Sequence, residues 1–264
     1  MSTAHNGDVE LYYEVHGSGE PLLLIMGLGY ALWGWHAQIP DLARDRQVIA
    51  MENRGVGRST PVTELYTVHD MADDAVAVLD AAGAASAHVV GVSLGGFVTQ
   101  SLAARYPQRV RSIVLGCTTH GGPDAIPIPP ETAAAMLDPG KGLTTEERIR
   151  RVMPLSLREG WTQEHPDEFE RILAMRLEWV PQWDAFVAQA TAGGTADTTE
   201  LAPTITAPTL IVHGTGDRVV PVGNAELLRS KVPGAKVELL SGAGHLLMME
   251  EPDRFNELVR EHTA

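Results

Sequence analysis

The chain has 264 residues, 44% of them hydrophobic and 20% charged, which suits one large α/β domain with a substantial core. A formal charge of −14 disfavours nucleic acid or an anionic membrane surface as partner, since both require clustered Lys and Arg. The single cysteine, Cys117, excludes an internal disulfide framework, and no run of about 18 apolar residues is present to span a bilayer.

Met1–Asp8 lacks a basic segment followed by an apolar one, so no secretory leader is expected and the expected location is cytoplasmic. Val9–His16 alternates as a strand after a turn at Asn6-Gly7-Asp8. Leu22–Met26 is continuously apolar, as a strand buried on both faces would be, and a loop with Gly27 and Gly29 follows it. Trp35–Arg44 predicts a short helix, Gln47–Met51 a strand, and Glu52–Ser59 a loop. Val68–Ala82 predicts a helix with Met71, Ala75, Val78 and Leu79 on its inner face; its Asp73-Asp74 pair reads as solvated.

Residues 88–99 carry the strongest signal. Val89, Val90 and Val92 form a β-branched run that leads into Gly91-Val92-Ser93-Leu94-Gly95, and a helix over Leu94–Arg105 follows. A serine on so sharp a strand-to-helix turn is a nucleophile elbow, where side chains at Gly91 and Gly95 would meet neighbouring backbone. The turn exposes the Ser93 hydroxyl and leaves the Leu94 amide at a helix N-terminus, aimed where an oxyanion would form.

Val110–Leu115, Thr209–His213 and Lys236–Leu240 complete the predicted strands, with helices over Asn224–Val232 and Pro252–Glu261. Strands alternating with helices imply a mainly parallel sheet. Residues 120–205 break this rhythm. Helical segments near Thr132–Leu137, Thr145–Val152, Asp167–Trp179 and Gln182–Thr191 follow one another with no strand between them. The expected division is a core of residues 1–120 and 200–264 carrying a helical cap of residues 121–199, and an insertion of this kind usually serves as a lid.

A serine hydroxyl needs a base, normally a histidine held by a carboxylate. Among ten histidines, His245 lies in the small-residue loop Ser241–Leu246 just past the last strand, where this architecture places site residues. His213 is its chief competitor, although its place at the end of an apolar strand suits a packed residue. Asp217, in Gly214-Thr215-Gly216-Asp217, is the candidate acid, with Asp124 as the alternative. The order Ser93, Asp217, His245 is Ser–acid–His. Leu28, between Gly27 and Gly29, offers the second oxyanion amide beside Leu94.

These residues together resemble the α/β-hydrolase superfamily over almost the whole chain, with a layout similar to enol-lactonase, methylesterase and cofactor-free haloperoxidase-type enzymes. The resemblance rests on Gly91-x-Ser93-x-Gly95-Gly96, Arg54-Gly55-x-Gly57-x-Ser59, Gly214-x-Gly216-Asp217 and Gly244-His245 with Glu251-Pro252. It implies an α/β fold: a mostly parallel eight-stranded sheet flanked by helices, with the helical cap inserted after the sixth strand. It also implies a Ser93, Asp217, His245 triad. Met26-Gly27 and Glu52 depart from the His-Gly and aspartate common in relatives.

The expected chemistry is hydrolysis of a carboxylic ester or lactone through an acyl-enzyme, with no metal and no organic cofactor. The partner is a small-molecule ester or lactone, and the protein is a monomer or homodimer. Trp33, Trp161, Trp179, Trp183, Met175 and Leu246 are candidate lining of an apolar substrate pocket. The alternatives are C–C bond hydrolysis or perhydrolysis on the same triad, or a ligand receptor with slow turnover.

Overall fold

Alternation within the central strands decides the layering. The computed structural model describes residues 2–264. In β3 (Glu20–Ile25), Leu23 and Ile25 face one side of the sheet while Leu22 and Leu24 face the other, and all four are fully buried. The same division runs through β5 (Ala87–Val92), β6 (Val110–Gly116) and β7 (Thr209–Gly214). Strands wrapped on both faces have no polar side, which is why they read as unbroken apolar runs.

With β1 (Ser2–Asn6), β2 (Val9–His16), β4 (Arg46–Met51) and β8 (Lys236–Leu240), they form one eight-stranded sheet in the order β1-β2-β4-β3-β5-β6-β7-β8. Only the β1–β2 and β2–β4 pairs are antiparallel. β1 escapes sequence reading because Ser-Thr-Ala-His-Asn is polar; it is an edge strand with only Ala4 buried. The hydrophobic pattern therefore carries no trace of it.

Five helices come before or after the insertion with substantial length or packing: α1 (Gln38–Leu42), α2 (Val68–Ala81), α3 (Leu94–Arg105), α9 (Gly223–Lys231) and α11 (Pro252–His262). α2, α3 and α9 pack on one face of the sheet, and α1 and α11 on the other. The predicted helix over Trp35–Arg44 resolves into a 3₁₀ turn, Leu32–Trp35, followed by α1. A capping box between Thr67 and Asp70 starts α2. Asp74 corrects the reading of the Asp73-Asp74 pair. It is buried and holds Arg54 through two 2.6 Å hydrogen bonds, because it falls on the same helical stripe as Met71, Ala75 and Val78.

Between β6 and β7 lies a helical insertion: α4 (Pro130–Met136), α5 (Thr145–Val152), α6 (Trp161–Glu164), α7 (Pro166–Glu178) and α8 (Trp183–Gly194). An isolated bridge between Gly121 and Asp197 brings its two ends together. The short α10 (Leu247–Glu250) precedes α11. No helix among the described residues is long and apolar enough to cross a membrane.

Candidate active site

Ser93 joins β5 to α3 with φ 56° and ψ −120°, a conformation that L-residues rarely adopt. Its neighbours hold it there. The Ser93 amide donates to the Gly116 carbonyl, and its own carbonyl accepts from the Gly96 amide and the Thr118 hydroxyl, each at 2.8 Å. A Cβ at Gly91 would strike the Gly95 carbonyl and Thr99, and one at Gly95 would strike the Ile25 carbonyl. Glycine on each side of the serine is thus demanded by approaching backbone.

Asp217, in the turn after β7, is fixed through both oxygens. Oδ1 accepts from the Val219 and Val220 amides at 2.8 and 2.9 Å, and Oδ2 accepts from His245 Nδ1 at 2.8 Å. His213 Nε2 lies 3.3 Å from the same Oδ2 and 2.9 Å from the Val220 carbonyl. Burial opposes ionisation of this carboxyl, but His245 and His213 outweigh it and hold Asp217 well below the usual carboxylate range. With Nδ1 turned to the acid, Nε2 of His245 is the nitrogen free to act as a base. The loop carrying His245 is tied from the insertion: Glu250 accepts from both the Gly244 and Arg158 amides, and the Leu246 amide donates to the Ser156 carbonyl at 2.9 Å. Asp124, the alternative acid, is exposed and lies 3.4 Å from Lys231.

Cys117 follows β6, the strand between those that precede Ser93 and Asp217. Its amide donates to the Val212 carbonyl at 2.9 Å, its φ is 43°, and its thiol faces the Gly244 carbonyl at 3.7 Å. Burial, with the Asp217 charge adding to it, pushes the thiol up and keeps it neutral and unreactive. Cys117, His213 and Asp217 bring potential ligand atoms within 4.8 Å of one another. Both Asp217 oxygens are already engaged, so this arrangement favours a hydrogen-bonded acid over a cation site. Among the described residues, no hydrogen bond joins the Ser93 hydroxyl to His245; the nearest links are the Ser93 amide to the Gly116 carbonyl and the Cys117 thiol to the Gly244 carbonyl.

Ser93, Leu28 and Leu94 line one cavity of about 430 Å³. Leu94 opens α3, so its amide has no helical acceptor. A Cβ at Gly27 would lie 3.1 Å from that of Ser93; glycine lets the Leu28 loop lie directly against the serine. The other walls are mainly apolar, with Phe97, Ile126, Met136 and Val219, and Gln189, Thr118 and Thr119 supply the polar exceptions.

The six pocket residues expected from sequence lie elsewhere. None of Trp33, Trp161, Trp179, Trp183, Met175 and Leu246 is among the residues lining this cavity. Trp161 and Leu246 are buried in the hydrophobic cluster under the insertion, and Met175 packs against it. Trp33 lies against Tyr30, with ring centroids 5.0 Å apart. Trp179 stacks under Arg58 and Trp183 against Phe186. These rings pack against protein, and smaller aliphatic residues are left to shape the cavity.

Two residues of the insertion escape sequence reading. Gln189 of α8 is fully buried and accepts from the Gly29 amide at 2.6 Å, while Arg176 of α7, 8% exposed, donates to the Gly29 carbonyl. The available signal is a lone amide within the stripe Ala185, Ala188 and Ala192.

A family model described as alpha/beta hydrolase fold matches residues 20–252. The chain is 32% identical to a RutD protein of Azorhizobium caulinodans, named for carbamate-hydrolase activity, over 98% of this chain and 97% of that one. It is 30% identical to the 2-hydroxymuconate semialdehyde hydrolase of Pseudomonas sp. (strain CF600), over 94% and 88% of the two chains. Among solved structures, Est816, described as an N-acyl homoserine lactone degrading enzyme, superposes with a TM-score of 0.84 at 29% identity, covering 98% of this chain and 99% of that one. The sheet order, the elbow and these likenesses agree: the chain belongs to the alpha/beta-hydrolase family.

Proposed function

We propose that this protein is a serine hydrolase that cleaves a carboxylic ester or lactone of a hydrophobic small molecule. The observation that carries the reading is Ser93, held at positive φ in the wall of an apolar cavity, in a chain that also pairs His245 Nδ1 with Asp217 at 2.8 Å. In the proposed reaction His245 Nε2 takes the Ser93 proton as Oγ bonds to the substrate carbonyl carbon. The Leu28 and Leu94 amides receive the negative oxygen. The C–O bond to the leaving group then breaks, and His245 returns the proton to the departing oxygen. Water, deprotonated by His245, attacks the acyl-enzyme and frees the acid and Ser93.

In this reading the helical insertion acts as a cap that keeps bulk water from the acyl-enzyme. The relatives include enzymes named for lactone, carbamate and C–C bond hydrolysis, so the bond cleaved is the point to test. A panel of aliphatic p-nitrophenyl esters, acyl lactones, carbamates and a vinylogous diketone, run on wild type and Ser93→Ala, separates these. Esters or lactones should be the best substrates, with medium aliphatic chains turned over faster than acetate. Ser93→Ala should lose at least about 1,000-fold. A fully active Ser93→Ala variant would overturn the reading, and preferred cleavage of the diketone would replace the ester assignment.

A further inference from the structure

The loop that offers the Leu28 amide is held in place by the insertion. Gly29 has φ +70° and is gripped at both of its backbone polar atoms. Its amide donates 2.6 Å to Gln189 Oε1, and its carbonyl accepts from Arg176 Nη1. Both side chains come from the insertion, Gln189 from α8 and Arg176 from α7, and both are buried.

Neither contact is an ordinary packing choice. Burial, with Arg148 nearby, pulls the Arg176 guanidinium below its usual range, and the Tyr30 ring 4.7 Å away offsets this only in part. No carboxylate is paired with it among the described residues. A buried cation committed to a backbone carbonyl is costly, so its place marks a position that the fold holds tightly. Gln189 is equally constrained. Its Nε2 faces the Arg54 carbonyl at 3.5 Å while its Oε1 faces the Gly29 amide, so the two partners fix which way the amide points. One side chain therefore links α8 to the loops after β3 and β4.

We infer that Gln189 is a positioning residue: from the cap, it holds the Gly29 peptide so that the adjoining Leu28 amide faces the oxyanion, and cap docking thereby completes the oxyanion hole. Arg176 holds the next peptide, Gly29–Tyr30, by its carbonyl. The inference rests on the Ser93 reading and on Leu28 as an oxyanion donor. When α8 lifts away, Gly29 loses its amide partner and the Leu28 amide is free to turn. Turnover is then confined to the closed state, in which water is also excluded.

The test compares Gln189→Leu, which removes the acceptor, with Gln189→Glu, which keeps an oxygen at that place. With the best ester of the panel, Gln189→Leu should lower kcat about 10- to 100-fold and leave KM within about twofold, as misplacement of a transition-state contact does. An aliphatic trifluoromethyl ketone, which forms a tetrahedral adduct with serine, should bind more weakly by the same factor. Gln189→Glu should recover most of kcat. Hydrogen exchange of the Gly29 amide in the wild type needs no variant to fold: it should be slow, and slower with the ketone bound. Wild-type kcat in Gln189→Leu, equal losses in both variants with ketone affinity unchanged, or a freely exchanging Gly29 amide would each overturn the inference. An active Ser93→Ala enzyme defeats the hydrolase reading itself; an inactive one beside an unimpaired Gln189→Leu defeats only this step.

Discussion

His213 and His245 share one oxygen of Asp217. His245 Nδ1 stands 2.8 Å from Oδ2, and His213 Nε2 stands 3.3 Å from it. His213 is fully buried, and its Nδ1 has no partner. The proton therefore belongs on Nε2, between Oδ2 and the Val220 carbonyl. The residue that sequence reading set aside as packing is a second donor to the acid.

Replacing His213 with Leu keeps bulk but removes that donor. A hydrogen bond to a charged group is worth roughly 1.5–3 kcal/mol, so kcat should fall about tenfold or more with KM little changed. His213→Gln, which retains a donor, should recover part of the loss. Steady-state kinetics on the panel's best ester decides it, and an unaltered kcat in His213→Leu removes the proposed role.

Asp217 gives a prediction with a definite pH direction. Its folded-state ionisation lies below the ordinary carboxylate range, so its contribution to stability is complete above about pH 4 and fades as pH falls through the folded value. The stability gap between wild type and Asp217→Asn should therefore be widest near neutrality and narrow below about pH 4. Urea unfolding at several pH values measures it, and a gap that grows in acid contradicts it. The same variant should lose about 10³- to 10⁴-fold in kcat, since the His245 tautomer is no longer enforced.

The Arg54–Asp74 pair concerns the fold more than the chemistry. Both groups are buried, Asn6 donates to Asp74 at 2.9 Å, and the Arg54 guanidinium lies over the Tyr66 ring. Asp74→Ala leaves a buried guanidinium without its partner and should cost about 3–5 kcal/mol. Removing both charges, as Arg54→Met with Asp74→Leu, should restore much of that. Chemical denaturation provides the measurement; a double variant no better than Asp74→Ala would show that the pair is worth more than its desolvation.

What the sequence disclosed follows from how local each signal is. The elbow was legible because strand, glycines, serine and helix are contiguous, and Leu94–Arg105 is helical at those bounds. Val9–His16 matches its alternation and its turn, and Lys236–Leu240 is a strand at the expected bounds. Asp74 was misread because adjacent acids look alike until the helical phase is imposed. The tryptophans drew attention as pocket lining because large rings dominate any apolar stripe, yet a stripe does not say whether it faces a ligand or the protein. Gln189 and Arg176 make contacts 160 and 147 residues away along the chain, and no local pattern encodes such a partner.

The bridge between Gly121 and Asp197 bears on how such a protein changes over time. Departure and return points stand side by side, so everything between them behaves as a cassette plugged into one socket. A replacement graft would need to reproduce that clasp, the grip on Gly29, the ties to the Gly244–Leu246 loop and the buried side chains, such as Trp161, Phe169 and Ile172, that join the core. The residues of that cassette that face the cavity, Ile126 and Met136 among them, can then change without disturbing a single strand beneath.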